Sequence, residues 1–450
     1  MDHTPRSDLS SLLRAGLGKS LVSLLIKVAT AGLTYLMYVI LSRLMGVGEY
    51  GYFAFGLSLA TILAIGANYG QQTAILRYWP EERVAGRPQQ ALEALRSGGA
   101  VTIGAGLAVT AALLAGGLAE QLFGLEHAHL IAAATLILPL ALAEYWSSAL
   151  RAQGSVWIAL TPRDIAWRVA VPLLVVALFH AGVTLSGAAA LLVTAFLLAL
   201  ALALQYVLAR ARGYEIAPGT AGLRAYWAAR GGPSRSFFLG TVLDSAALNV
   251  DIILVGLLVA PAAAGIYFNA FRTAGLLTLF MFAITLVVAP MVAQHYHAGQ
   301  LRQAQAITAL CAWAGFLFSL VVFAVFLVFG EQLLGLFGAG QEAGKTILLL
   351  LSIGLLVDAA TGPSRIVLMM TGHERAYVRI FGSIVVFGML VQLAVIPVWG
   401  LTGAALANMS ARIAAQLAIA VFARRRIGLD TTLLGAFRVN RLQDRPGGII

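Results

Sequence analysis

The chain alternates long apolar runs with short polar ones. Twelve apolar runs stand out, at about 18–44, 52–76, 94–118, 129–150, 164–181, 185–208, 236–259, 264–291, 305–329, 345–370, 376–397 and 401–423. Most are near or above the roughly 20 residues that a helix needs to cross about 30 Å of hydrocarbon. Barrel strands would be roughly 10 residues long and alternate apolar with polar positions, a pattern the sequence does not show. The runs therefore predict membrane-spanning helices. Polar positions inside the first run follow the helical period. Ser20, Ser23, Lys27, Thr30 and Thr34 recur at steps of three or four and form one stripe. The stripe predicts a helix lining a polar cavity; a polar seam between packed helices is the alternative.

The charges between runs predict the topology. With the N-terminus inside, 24 of the 30 Lys and Arg fall in inside segments, only Arg43 and Lys345 fall outside, and Lys27, Arg272, Arg365 and Arg412 lie within runs. The outside segments instead hold Glu49, Glu120, Glu126, Glu331 and Glu342. This bias orients helical membrane proteins and predicts both termini in the cytoplasm. In this reading Arg163 and Arg168 belong to an inside segment, and Glu144 lies near the inner interface.

Composition agrees. The chain is 60% hydrophobic and 11% charged, against roughly 25% charged in soluble domains, and its mean hydropathy is +0.88. This excludes a soluble enzyme. The net charge of +11 would suggest nucleic acid, but its placement assigns it to topology and anionic lipid. The single cysteine, Cys311, falls in an apolar run and reads as a buried thiol. The first run is too long for a cleavable leader and reads as a retained anchor.

Two landmarks recur. Gly51 opens "GYFAF" and Gly265 opens "GIYFNAF", 214 residues later; Gly187 in "LSGAAA" and Gly403 in "LTGAAL" are 216 apart. They occupy the second and sixth runs of each half, which predicts parallel repeats. The expected fold class is an all-α integral membrane protein: twelve transmembrane helices in two six-helix parallel-repeat halves around a central cavity. The expected segments are a cytoplasmic N-terminal stretch (1–17), a first half (18–208), a cytoplasmic linker (209–235) with a short interfacial helix around 223–229, a second half (236–423) and a basic cytoplasmic tail (424–450).

Residues 41–82, "LSRLMGVGEYGYFAFGLSLATILAIGANYGQQTAILRYWPEE", resemble the first helical hairpin of the polysaccharide flippases. These are the Wzx-type O-antigen and exopolysaccharide transporters of the multidrug/oligosaccharidyl-lipid/polysaccharide exporter superfamily. Residues 248–272, "LNVDIILVGLLVAPAAAGIYFNAFR", resemble the equivalent hairpin of the second half. The resemblance implies a transporter in the bacterial inner membrane that moves undecaprenyl-pyrophosphate-linked oligosaccharide units outward by alternating access. It implies lipid-linked oligosaccharide and membrane lipids as partners, with polysaccharide polymerase machinery downstream. A cation-coupled multidrug exporter of the same superfamily is the alternative. A membrane polysaccharide polymerase or ligase, the enzymatic alternative, would lack the repeat and need a large outer loop.

Ionisable groups inside spans cost about 2.5–3.5 kcal/mol each at a helix centre. Lys27, Glu144, Asp244, Asp251, Arg272, Asp358, Arg365 and Arg412 are such groups, so they are expected to face water or pair. Arginine suits phosphate through its planar fork and lysine as a point charge. The expected substrate path is Lys27, Thr30, Thr34, Asp244, Asp251, Arg272, Asp358, Arg365 and Arg412. Asp251 and Arg272 either form a salt bridge or serve separate roles. Asp358 and Arg365 pair across Gly362–Pro363, where proline predicts a kink that either gates or merely bends the helix. The carboxylates hold arginines or bind a coupling proton or sodium ion, and no other cofactor is expected.

Competing signals fail on context. "AGQEAGKT" (339–346) fits a relaxed phosphate loop, but lies between apolar spans on the outside face instead of between strand and helix. The histidines form no metal-ligand spacing, and no catalytic constellation stands out, so the protein is not expected to be an enzyme or to bind nucleic acid.

Overall fold

The computed structural model describes the backbone of residues 9–122 and 128–441, and their side chains except 9–25, 27, 119–122, 282, 283, 286, 287, 440 and 441. Regular structure in this range is helical. In chain order the helices are α1 (Leu9–Met45), α2 (Val47–Ala67), α3 (Gln71–Val84), α4 (Pro88–Leu122), α5 (Ala128–Ala152), α6 (Val156–Leu160), α7 (Trp167–His180), α8 (Gly187–Ala211), α9 (Leu223–Leu258), α10 (Pro261–Ala274), α11 (Leu279–His297), α12 (Leu301–Gly335), α13 (Lys345–Thr361), α14 (Ser364–Met370) and α15 (Glu374–Phe422).

Every predicted run falls on helix. Among the described residues nine helical stretches are long and apolar enough to cross a membrane, and the chain is a multi-pass membrane protein. The difference from twelve has local causes. The fifth run is α6 and α7 joined through a π turn, Thr161–Ala166, and the eighth is α10 and α11 joined through a 3-10 turn, Gly275–Thr278. The last two runs merge into α15, which bends at Gly400 (φ 55, ψ −136), a backbone conformation only glycine adopts cheaply. The predicted interfacial helix at 223–229 is no separate element; α9 runs unbroken from Leu223.

The chain forms two compact units. Unit 1 is Met1–Ile40 with Ala60–Val242; unit 2 is Leu41–Leu59 with Leu243–Ile450.

In unit 1, Asn68 ends α2 and is fully buried. Its amide donates to Ala141 O (3.1 Å) and accepts from the Thr102 hydroxyl (3.3 Å), tying α2 to α4 and α5. Gly70 follows with φ 74, and a Cβ there would lie 2.6 Å from Phe238 N. The linker packs onto α3, where the Tyr226 hydroxyl donates to Gln71 Oε1 (2.6 Å) and Arg230 pairs with Glu82; just beyond, Tyr69 stacks on Phe238 at 4.7 Å.

In unit 2 the two repeated turns pack on each other. A Cβ on Gly51 would lie 2.1 Å from Pro261 O, and one on Gly265 would lie 3.1 Å from Gly51 Cα. Asn269 joins this seam from α10: it accepts from the Tyr50 hydroxyl (2.6 Å) and donates to Gln341 Oε1 (3.2 Å) and Ser42 Oγ (3.4 Å). Arg43 closes it by donating to Leu336 O (2.6 Å). The first landmark pair, Gly51 and Gly265, thus marks a close backbone approach.

The tail is folded back as far as Arg441; its end, 442–450, lies outside the described residues. Leu429, Asp430 and Thr431 are buried. Gln305 clasps the Asp430 backbone at both N–H (2.8 Å) and C=O (2.7 Å), and the Thr431 hydroxyl meets that of Ser364 (2.7 Å). This strap covers the break between α13 and α14, where Gly362 has φ +65 and a Cβ would fall 2.3 Å from Thr431 O. Gly362→Ala should lift the strap, because a strained residue costs on the order of 1–3 kcal/mol. With Cys311 replaced by Ser and Leu429 by Cys, maleimide labelling should be slow with Gly362 and clearly faster with Ala; equal rates would contradict this.

Candidate functional site

Unit 2 gathers six of the nine predicted path residues. Asp244 and Asp251 lie seven apart on α9 and so on one face. Asp251 is only 4% exposed. Its carboxylate accepts from the Tyr267 hydroxyl (2.9 Å), from Gln392 Nε2 (2.8 Å) and from Asn408 Nδ2. Its direct donors are therefore neutral, and among the described residues no cation pairs with it. The proposed salt bridge to Arg272 does not form; α10 turns Tyr267, not Arg272, toward this carboxylate.

The predicted pair of Asp358 and Arg365 does not form either. A seven-residue spacing shares a face only along a continuous helix, and the chain breaks at Gly362–Pro363. Asp358, at the end of α13, pairs with Arg412 of α15 (3.6 Å). Arg365, at the start of α14, pairs with Asp244 (2.8 Å) and lies over the Tyr377 ring (5.2 Å). The break thus distributes its two charges to different helices.

Arg272 remains. It donates to Asn249 Oδ1 (3.2 Å) and lies over the Phe268 ring at 4.8 Å. Its Nε is buried without a hydrogen-bond partner, and no described carboxylate pairs with it. Four carboxylates and arginines cancel in two pairs, leaving one acid held by neutral donors and one guanidinium with unused donor capacity.

The other three predicted residues belong to unit 1. Lys27 lies on α1, but its side chain, like those of Ser20 and Ser23, is outside the described residues. Thr30 and Thr34 satisfy themselves within α1, donating to Ile26 O and Thr30 O (2.6 Å each).

The sequence reading missed the amides. Asn249, Gln392 and Asn408 are all at least nine-tenths buried inside apolar runs. An amide in a span needs partners almost as much as a charge does, so tallying Asn and Gln with the ionisable groups would have found them. The sequence reading placed Arg163 and Arg168 in an inside segment; both lie in helical backbone that starts at Val156, and Arg163 pairs with Glu144 of α5.

Among the described residues no cluster of three or more His, Cys, Asp or Glu could hold a metal. A monovalent hard cation asks less. The Asp251 carboxylate and Gln392 Oε1, a buried oxygen without a partner, are oxygen donors of the type such ions take. The residues present fit a coupling cation or a proton.

Residues 17–296 match the family model described as polysaccharide biosynthesis protein, and residues 237–415 match the MatE model. No curated protein matches. Two solved structures have TM-scores of 0.68: an inward-facing multidrug resistance MATE transporter of the MOP superfamily (15% identity, 90% of this chain and 98% of that one) and the lipid II flippase MurJ in an inward closed conformation (13% identity, 94% of each). A MOP superfamily transporter from Pyrococcus furiosus, described as having a binding pocket of reverse polarity, has a TM-score of 0.60 at 15% identity, over 91% of this chain and 95% of that one. The fold is that of these transporters, and the family match spans more than half of the sequence: the chain belongs to the polysaccharide biosynthesis protein family.

Proposed function

We propose that the protein is a flippase for lipid-linked oligosaccharides, moving undecaprenyl-pyrophosphate-linked units across the bacterial inner membrane by alternating access. The observation that carries this is Arg272, the intramembrane guanidinium of unit 2 that no described carboxylate neutralises. A cation in a membrane needs a counter-charge, and a pyrophosphate headgroup supplies one in the planar geometry that arginine favours. The polysaccharide family match and the fold shared with a lipid II flippase support the same reading. A coupling proton or sodium ion is assigned to Asp251, whose burial among neutral donors suits a small cation better than a sugar. Lys27 is assigned to a substrate path by the polar stripe of α1. A polysaccharide polymerase is the expected consumer of the product. Both termini are assigned to the cytoplasm by the charge bias.

The second reading, a cation-coupled multidrug exporter, draws on the MatE match and on Asp251 as an acid without a cationic partner. Binding to the purified protein separates the two. The flippase reading predicts saturable binding of undecaprenyl pyrophosphate oligosaccharide that cationic drugs do not displace. Displacement by such drugs, with no binding of the lipid, would favour the exporter.

A further inference from the structure

Unit 1 holds an ionic cluster apart from the predicted path residues. Arg163 lies seven residues inside the helix that starts at Val156, or about 10 Å along its axis. It stands on the π turn Thr161–Ala166, a widened turn of the kind often found at functional sites. The turn is braced by side chains: Arg163 O accepts from Trp167 Nε1 (2.5 Å) and from Arg168 NH1 (3.1 Å). Arg168 lies over the Trp167 ring at 4.5 Å.

The two carboxylates of the cluster differ. Asp164 is 2% exposed and fixed between guanidiniums, 3.6 Å from Arg163 Nε and 3.7 Å from Arg168 NH1. Glu144 comes from α5, is 34% exposed, and pairs with the terminal nitrogen of Arg163. Arg151, also of α5, donates to Ser148 Oγ (3.1 Å). Two guanidiniums thus share the two carboxylates, with Arg151 a third cation nearby. Arg168 Nε and the Thr161 hydroxyl are further buried groups without a partner. A cluster rich in donors and net positive is complementary to an anion.

Beside the Glu144–Arg163 pair lies a recess of about 50 Å³, bounded by Thr61, Ala64, Glu144, Arg163, Trp167 and Leu198. A water needs roughly 10–15 Å³ by this measure, so the recess takes a few waters or one phosphoryl-sized group. Arg163 is 16% exposed, and a largely buried guanidinium left without a counter-charge would be costly. A tethered carboxylate avoids that cost until an anion takes its place at the guanidinium.

We propose that Arg163 is an anion subsite of unit 1 for a phosphoryl group, with Glu144 as its built-in counter-ion, displaced when the ligand binds. The proposal stands apart from the role given to Arg272, which is in unit 2. Glu144→Gln removes the competitor, so the variant should bind inorganic pyrophosphate at least about tenfold more tightly than the parent, a change of about 1.4 kcal/mol. Glu144→Asp, which withdraws the carboxylate by one methylene, should show a smaller gain and guards against misfolding of the first variant. Glu144→Gln with Arg163→Gln, a neutral pair of similar size, should abolish the gain, whereas Glu144→Gln with Arg272→Gln should keep it. Titration calorimetry is run with inorganic pyrophosphate and, in nanodiscs, with undecaprenyl pyrophosphate. A gain for both ligands, or for one alone, supports the subsite and identifies the source of its anion. The same affinity in Glu144→Gln and the parent for both ligands, or a gain that survives loss of Arg163, overturns it.

Discussion

Arg272→Gln should lower export of lipid-linked oligosaccharide by about ten- to a hundredfold while the protein still reaches the membrane at its normal level. The size follows from a hydrogen bond to a charged group, worth about 1.5–3 kcal/mol, and each 1.4 kcal/mol is about tenfold. Stability should change little, because Arg272 breaks no ion pair when it goes; Asn249 and the Phe268 face are its described partners. Arg272→Lys should recover only part of the activity, since an ammonium keeps the charge but loses the planar fork. Arg365→Gln and Arg412→Gln are the contrast. Each strands an aspartate, Asp244 or Asp358, and breaking a buried pair costs about 3–5 kcal/mol; both pairs are partly exposed, so the lower end or less is expected. Those variants should lose protein before they lose specific activity. Export assayed against the amount of membrane-embedded protein separates the classes. Full export by Arg272→Gln would remove that residue from the path.

Asp251 has the second large effect, and it splits by substitution. Asp251→Ala strands the Tyr267 hydroxyl and the amides of Gln392 and Asn408, which now donate to the carboxylate. An unsatisfied buried group costs about 1–3 kcal/mol, so this variant should melt well below the parent and accumulate poorly. Asp251→Asn keeps the volume and an acceptor oxygen, so it should fold. It removes the ionisable group, so transport in proteoliposomes should stop responding to an imposed proton or sodium gradient while binding of the lipid substrate survives. Gradient-driven transport by Asp251→Asn at the parent's rate would exclude Asp251 as the coupling site.

Element type and the family resemblance were legible in the sequence because both depend on local pattern. Apolar length gives the spans, and Gly51 and Gly265 mark the repeated turns where two backbones meet, with no room for a Cβ on Gly51 and little on Gly265. Pairing was not legible, since it depends on helix rotation and on breaks. Asp358 and Arg365 looked like partners at a helical spacing, yet Gly362 turns the chain between them and each finds a partner on another helix. Arg163 and Arg168 looked like loop residues, because "TPRD" contains proline and charge. The helix accommodates Pro162 early in its course and absorbs both arginines through a π turn. The strap was hidden for a different reason: it is short and has no span-length apolar run, and its docking rests on single long-range contacts, Gln305 of α12 to the Asp430 backbone and Ser364 to Thr431.

Which leaflet holds the lipid-linked oligosaccharide is the most direct test of the flippase function. Cells depleted of the protein should accumulate the undecaprenyl pyrophosphate oligosaccharide on the cytoplasmic leaflet, protected from a membrane-impermeant glycosidase or lectin added from outside. Restoring the protein should make it accessible. Equal accessibility with and without the protein, together with loss of resistance to cationic drugs on depletion, would contradict the flippase and leave the exporter.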